Sequence, residues 1–547
     1  MAKNSSNSTK KTVMMRSSCG FTSVSEDVIE NILTRLNALS FASASCVSKS
    51  WNNVCVRILS KPKLATALSL NPSLEEAMKE VLDKVLLEPI VPHFVIACIG
   101  KEFILEVTHQ LLTTRFGTRV PIITNAASGI IGLDAATDKL KEIRWGKSDE
   151  DDEDSEDDDD DDDEGVINRG IVLVVGFVPG LKVEAIPLLR SKEIHRTAFV
   201  DKFVTDIKDY TSSVSDTTSP SGIILFGDRN MDIKPILARI DWELEKETVI
   251  VGDAKGCFLS TSVDNSHNNN KDDYFTGAVA LVFAKDKHKS HGIGEIEFHL
   301  TLSTGMMPFG PQLQAICVIA KDADYSWLTA RMDGDYEILD GQVLLSDINE
   351  QFRDQEFPEI YIGVVQQREY QISPESTISK ASMEFYEVVG GNRQFFVING
   401  VGIRPGDYFL FYHSDSDTAS SSCGDAFRDL KILRPELKSK TCSNKGSCSS
   451  SSRSAEREVF GGLMFSCHSR GEVFYPKEDS SPIHGNFPGV PLAGVYCVGE
   501  IGRGGFSPSI TQEDDEDKSA SCSLHYHSSI YLVLSYVPPS TSSESDR

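Results

Sequence analysis

The sequence predicts an α+β chain: a short three-helix module near the start, then a mixed-sheet α/β body with a β-rich C-terminal half. Three observations predict it. Apolar residues recur at helical spacing between positions 21 and 60, and strand–helix–strand order occurs twice between 93 and 256. Beyond Gly277 the apolar runs are short, bounded by turn residues, and carry little helical period. The 547 residues leave room for one small module and two or three larger domains. A hydrophobic content of 40% suits a chain that buries a core over most of its length.

Residues 1–20 are rich in Ser and Lys without an apolar run and are expected to be a disordered tail. The stretch Phe21 to Leu36 then reads as a helix that Ser25 can cap, with Glu26 and Asp27 at the positive end of the helix dipole. Val28, Ile29, Ile32, Leu33 and Leu36 form one apolar face. Leu39, Phe41, Ala42 and Ala44 form a second cluster, followed by Val47-Ser-Lys-Ser-Trp51. Units of about 40 residues or fewer seldom bury enough to fold alone. The surplus apolar surface must therefore be covered, either by the chain's own downstream domain or by a second polypeptide.

In the body, Leu74 to Val85 has helical spacing and is stopped by Pro89 and Pro92. His93 to Ile99 reads as a strand, Glu102 to Arg115 as a helix and Val120 to Thr124 as a strand, ending in a loop from Asn125 to Gly129. The order returns with a strand at Gly222 to Phe226, a helix at Asp232 to Ile240 and a strand at Thr248 to Val251, ending in a loop from Gly252 to Gly256. This is a weak internal repeat, in element order rather than letters. Between the copies, Gly170 to Val175 is a further strand, preceded by the run Asp149 to Glu164. That run holds 15 acidic residues and one Ser, Ser155, and reads as a solvated loop insertion with a phosphorylation candidate inside it. Strands are expected at Ala278–Phe283, Glu295–Leu302, Gln314–Ile319, Tyr361–Val365, Gln394–Ile398, Tyr408–Tyr412, Gly461–Ser466, Gly494–Val498 and Ser529–Tyr536.

The net charge is −27, and −12 without the acidic run, which disfavours phosphate backbones and anionic lipid. The 12 cysteines are scattered, the start has no signal-peptide pattern, and no apolar run is long enough to span a bilayer. The expected compartment is reducing: cytoplasm, nucleus or both. Paired Cys spacing for zinc is absent, and Gly502-Arg-Gly-Gly505 lacks the Lys-Ser/Thr of a phosphate loop, so neither metal nor cofactor is expected. His525 and His527 alternate onto one strand face without further ligands. Cys467 and His468 point to opposite strand faces, which is unsuited to a nucleophile and base, and no catalytic residue is assigned.

Two Gly-rich strand ends are the strongest site candidates: Phe465-Ser-Cys-His-Ser-Arg-Gly471 and Gly494-Val-Tyr-Cys-Val-Gly-Glu-Ile-Gly502. Arg470 could hold a carboxylate, Glu500 an ammonium group, and Ser466 either one, with Cys467 and Gly502 in the same turns. Such a set suits a zwitterionic ligand. Equally, Arg470 and Glu500 could pair and lock the two turns together.

The segment Val24 to Val54 resembles the F-box, through Val24, Glu26, Ile29, Ile32, Leu33, Leu36, Val47, Ser48, Lys49 and Trp51, with Ser25 where proline is usual. The resemblance implies docking on a Skp-family adaptor, and through it a cullin–RING ligase, by Val24, Val28, Ile29, Ile32, Leu33, Leu36, Leu39, Val47 and Trp51. Behind it, the two Gly-rich motifs and Pro121-Ile-Ile-Thr-Asn-Ala-Ala-Ser-Gly129 are similar to the FIST domains, although Thr124, Asn125 and Ala126 depart from the family's Gly-Cys-Ser. That likeness implies an F-box at 21–66, a FIST N-like domain at 70–290 with an acidic insertion at 149–165, and a β-rich FIST C-like domain at 291–537. Flexible insertions are expected at 414–456 and 510–520, and a tail at 538–547. The implied function is a non-catalytic substrate receptor of a ubiquitin ligase with a protein client. The alternative is an intracellular sensor of an amino-acid-like ligand. A leucine-rich horseshoe is not expected, because no 20–29-residue leucine period is sustained.

Overall fold

The computed structural model describes residues 25–145, 168–191, 196–261, 274–321, 325–352, 359–373, 376–434, 457–470, 479–503 and 521–539. The acidic run, the 510–520 insertion and Val24 lie outside them. The chain divides into two compact units, the first ending at Leu59 apart from a short return at residues 87–89.

The first unit is three short helices: α1 (Glu26–Leu33), α2 (Ala38–Ser45) and α3 (Lys49–Ile58). Asn37 caps α2 by accepting from Ser40 N at 2.8 Å, and Ser48 caps α3 by accepting from Trp51 N at 3.2 Å. Ser25 holds the cap position of α1, but its hydroxyl makes no capping bond, so the expected cap is not formed there. The Arg57 guanidinium instead bridges α3 to the first turns of α1, at 2.9 Å from Glu30 and 3.3 Å from Glu26.

The second unit opens with β1 (Lys63–Ser69), α4 (Leu74–Val85), β2 (Phe94–Ile99), α5 (Leu105–Phe116) and β3 (Ile122–Ala126). Next come β4 (Gly129–Leu133), β5 (Leu140–Arg144), β6 (Ile171–Phe177), β7 (Leu181–Ser191) and α6 (Arg196–Val214). They are followed by β8 (Gly222–Asp228), α7 (Lys234–Glu243), β9 (Val249–Ser260), β10 (Tyr274–Lys285) and β11 (Glu295–Thr304). Then β12 (Met306–Ala320), β13 (Tyr325–Met332), α8 (Gly341–Gln351), β14 (Ile360–Ser373), β15 (Ser376–Gly391), β16 (Phe396–Asn399) and β17 (Tyr408–Ser414). The unit closes with α9 (Ser416–Lys431), β18 (Glu458–Cys467), α10 (Ser481–His484), β19 (Leu492–Cys497), β20 (Glu500–Arg503), β21 (Cys522–His525) and β22 (Ser528–Val537).

These strands build a ten-stranded sheet ordered β1-β6-β2-β3-β9-β8-β10-β7, with β20 and β21 attached at β9. A second sheet runs β11-β22-β18-β19-β4-β5, and β12-β13-β16-β15-β14-β17 close into a barrel. The two open sheets face each other across one core. Ile530, Leu532 and Leu534 of β22 enter that core, whereas Tyr531 and Val533 face α9 and α10, as a two-residue period requires. On the far side of the ten-stranded sheet, Phe203, Val204 and Ile207 of α6 and Ile236, Leu237 and Ile240 of α7 cover the strands. The α+β expectation is met, with a barrel carried between β11 and α9.

The weak repeat is real in three dimensions. β2 and β3 pair parallel around α5, β8 and β9 pair parallel around α7, and the two units meet where β3 runs antiparallel to β9. Asn125 and Ala126, and all of Gly252 to Gly256, lie inside strands rather than in the loops expected of them. Gly252 is required where β9 lies against β8: a Cβ there would lie 1.8 Å from the Leu225 carbonyl oxygen.

Three expected boundaries change. The helical module ends before Lys63, because β1 already pairs along its length with β6. The stretch 414–456 is not wholly an insertion, since α9 fills its first part. Ala419, Cys423, Ala426 and Leu430 form a buried stripe there, which the Ser-rich composition conceals. The division at 290 does not separate sheets: β4 and β5 pair into the C-terminal sheet, and β20 and β21 into the N-terminal one. The close approach of β8 to β9 at Gly252 predicts that Gly252→Ala lowers the body's stability by about 1–3 kcal/mol or more in a denaturant titration. An unchanged midpoint would show that the strands do not approach this closely.

Candidate functional site

In the helical unit, Ile29, Leu33, Phe41, Ala44, Val54 and Cys55 form a closed core, flanked by the half-buried Leu36, Trp51, Ile58 and Leu59. Of the described residues expected to meet a partner, Leu36 and Trp51 are half-buried and the other six fall into two sets. Ile29 and Leu33 point inward, Leu33 with no exposure at all. Val28, Ile32, Leu39 and Val47 point outward and are 45–64% exposed. Val28 and Ile32 lie four residues apart on α1 and so share one face of that helix. Leaving four branched aliphatic side chains in water on so small a unit is costly, at about 1.5–3 kcal/mol each relative to full burial.

The second candidate lies in the body, at the ends of β18 and β19. Arg470 is fully buried and does not pair with Glu500. It contacts Asp479 through Nη2 at 2.9 Å and Nε at 3.1 Å, and donates from Nη1 to Ser303 Oγ at 3.1 Å and to the His527 carbonyl at 3.3 Å. Burial works against the guanidinium charge, and Asp479 more than restores it. Ser466 Oγ donates to the other Asp479 oxygen at 3.0 Å and lies 2.7 Å from Ser529 Oγ. Asp479 is in turn positioned by Glu142 of β5, which accepts from the backbone N–H of Asp479 and Ser480 at 3.1 and 2.9 Å. Arg470 and Ser466 thus tie β11, β18, β22 and the β21–β22 turn together.

Glu500 sits apart from that cluster, opposite Asp253 of β9 in the antiparallel register, with neither carboxylate exposed. Burial pushes the Glu500 carboxyl well above the usual range, and Asp253 adds to the rise. Its contacts are thiols: Cys497 Sγ reaches Glu500 Oε1 at 3.9 Å. Asp253 is raised to about 6 by burial, against the donors Lys255 N and Asn125 Nδ2, the latter at 3.1 Å. Cys467 is buried and its thiol is pushed up by that burial, as expected of a small apolar side chain. Gly502 lies within β20, where a Cβ would meet Ile530 Cδ1 at 2.7 Å, so its place is taken by packing.

The two histidines diverge rather than share a face. His525 Nε2 donates to the Gly502 carbonyl at 3.2 Å, and burial lowers its pKa to about 4. His527 takes a left-handed φ of 46° in the turn and contacts Glu359 at 2.7 Å, joining the barrel edge to the sheets. Burial raises the Glu359 carboxyl, but His527 and Tyr361 outweigh it, and the group ends below its usual value.

Comparison with known proteins agrees with both regions. Residues 21–62 match the F-box domain family model, and residues 354–503 match that of the FIST C domain. The chain is also 37% identical over 546 residues to an F-box/LRR-repeat protein of Arabidopsis thaliana, covering 97% of each sequence. The chain belongs to the F-box family.

Within this F-box protein, the FIST C match begins just before β14 and ends with β20, so it takes in α9, Arg470 and Glu500. The relative's name includes leucine-rich repeats, whereas the described body here is two open sheets and a barrel. Among the described residues no helix is long and apolar enough to cross a membrane. Sequence reasoning missed Asp479, Asp253 and Glu142. Asp479 sits in a Glu-Asp-Ser-Ser stretch that reads as an ordinary loop, and Glu142 lies between Lys141 and Ile143 on a short strand that nothing in the spacing marks. Asn125 carried a signal, as the departure from the family's Gly-Cys-Ser.

The Asp253 geometry sets a pH dependence. Its carboxyl is raised in the folded chain, so its contribution is fully present below the unfolded value near 4 and is lost as pH rises through about 6. Asp253→Asn is therefore expected to stabilise the body at pH 7 by up to about 3 kcal/mol, with the gain vanishing by pH 4. Denaturant midpoints of both proteins from pH 4 to 7.5 check this, and parallel curves would show that Asp253 is not held neutral by burial.

Proposed function

We propose that the chain is the substrate-recognition subunit of a Skp–cullin–F-box ubiquitin ligase, with the F-box docking the Skp-family adaptor and the FIST body presenting a protein client. Ubiquitin transfer then belongs to the associated RING and E2 subunits, in the cytoplasm or nucleus, and this chain needs no acid, base or nucleophile of its own. One observation carries the reading. The helical unit satisfies its own core with Ile29, Leu33, Phe41, Ala44, Val54 and Cys55 and still holds Val28, Ile32, Leu39 and Val47 in solvent. A fixed apolar face beside a finished core is what a partner surface needs. The sensor alternative is less well supported, because Arg470 and Ser466 are committed to Asp479 and Ser529, and Gly502 to packing.

The split between inward and outward residues sharpens the test. Leu33→Asp would place an unpaired charge in the core and lose any partner by unfolding the unit. Val28→Glu with Ile32→Lys acts on the exposed face alone, and the new i,i+4 pair favours the helix by a few tenths of a kcal/mol. Removing two aliphatic contacts costs the complex about 3 kcal/mol or more, on the order of a hundredfold in affinity. The double variant is expected to keep its thermal transition and to stop co-purifying with a Skp-family adaptor. Full adaptor binding by that variant would overturn the docking assignment.

A further inference from the structure

The body has a cavity of about 530 Å³, away from Arg470 and Glu500, lined by Lys61, Arg434, Arg457, Glu458, Val459, Asn486, Phe487, Val490 and Pro538. Among the described residues, three cations and one carboxylate line it, in a protein of net charge −27. Arg434 is held in place without a described carboxylate. Its Nε donates to the Asn486 carbonyl at 2.8 Å and its Nη2 to the Gly485 carbonyl at 2.6 Å. Two carbonyls fix the exposed guanidinium, and no carboxylate among the described residues pairs with it. Glu458 is 3.8 Å from Lys61, and Arg457 Nη2 is 2.7 Å from Glu297.

Two lining residues carry buried polar atoms that have no hydrogen-bond partner among the described residues. Asn486 is only 3% exposed and spends both amide hydrogens, on the Phe427 carbonyl at 2.7 Å and the Pro482 carbonyl at 2.9 Å. That fixes its orientation and leaves Oδ1 as an acceptor without a hydrogen-bond partner among the described residues. The Nε–H of Arg457 is likewise buried and without a partner among the described residues. Buried groups left unsatisfied are rare in folded proteins and often mark an absent ligand or water. Val459, Phe487, Val490 and Pro538 supply the apolar part, and the volume falls in the range of small-molecule sites.

We propose that this cavity binds a small amphipathic anion: a carboxylate, sulfonate or phosphate monoester on an apolar body. The anion meets Arg434, with Arg457 and Lys61 adding to the field. The inference is independent of adaptor docking and makes the body a ligand-responsive part of the chain.

The probe is 8-anilinonaphthalene-1-sulfonate, which combines a sulfonate, an N–H and two aromatic systems, titrated by fluorescence into the full chain. Its neutral counterpart is N-phenyl-1-naphthylamine. Saturable binding at one site is expected. Arg434→Gln with Arg457→Gln should weaken the sulfonate at least tenfold and leave the neutral compound unchanged. Val490→Trp, which fills the cavity and keeps the cations, should abolish binding of both at an unchanged thermal transition. Binding that survives Val490→Trp, including binding at the exposed F-box face, overturns the proposal, as does absence of saturable sulfonate binding to the unaltered chain. Should the arginine variant fail to fold, the Val490→Trp result decides alone.

Discussion

The account depends on how little apolar surface three short helices can hide. A helix of two turns turns one or two positions toward its neighbours, and in α1 those are Ile29 and Leu33. With Phe41, Ala44, Val54 and Cys55 the inside is full, and further aliphatic side chains on the same helices have no inside left to enter. Val28 and Ile32 remain in water for this geometric reason. A chain that keeps them there gains nothing in its own folding, so their place is explained by what they meet.

The body obeys a different constraint. Its two β–α–β units share one sheet by joining antiparallel, β3 to β9. Where β9 runs between β8 and β20, backbones approach closely, which demands Gly252, and the carboxylates of Asp253 and Glu500 are taken out of water. The same crowding at the ends of β18 and β22 is held by a buried Arg470–Asp479 pair. Such pairs add little net stability, because desolvation offsets attraction, but they are costly to break and so select one arrangement of the strands. Here that arrangement sets the position of the β21–β22 turn and, through His527 and Glu359, of the barrel edge.

Much of this architecture is legible in the letters because periodicity and burial coincide. Phe94 to Ile99 and Ile171 to Phe177 are uninterrupted apolar runs since both faces of these strands are covered, and α5 and α7 follow their strands where spacing predicts. The repeat is legible as order before it is visible as geometry. Illegible were features where the local signal points elsewhere. The glycines of β9 read as a loop, yet they serve close approach within a strand. The serines of α9 read as a linker, yet every third or fourth residue among them is apolar. The Arg470–Glu500 pairing that the motifs suggest does not form: the partner of Arg470, Asp479, is nine residues on, and no spacing rule joins a strand end to the loop beyond it. In the F-box the apolar set was legible, but the sorting of Ile29 and Leu33 inward from Val28 and Ile32 outward needs the packing of α2 and α3.

The central claim is that the outward set is a contact surface and the inward set is not. Hydroxyl-radical footprinting of the full chain, alone and with a Skp-family adaptor, reads side-chain accessibility at each position. The account predicts protection at Val28, Ile32, Leu39 and Val47 on adding adaptor, with Leu33 already protected and unchanged. An adaptor that binds while those four stay as reactive as before would contradict it.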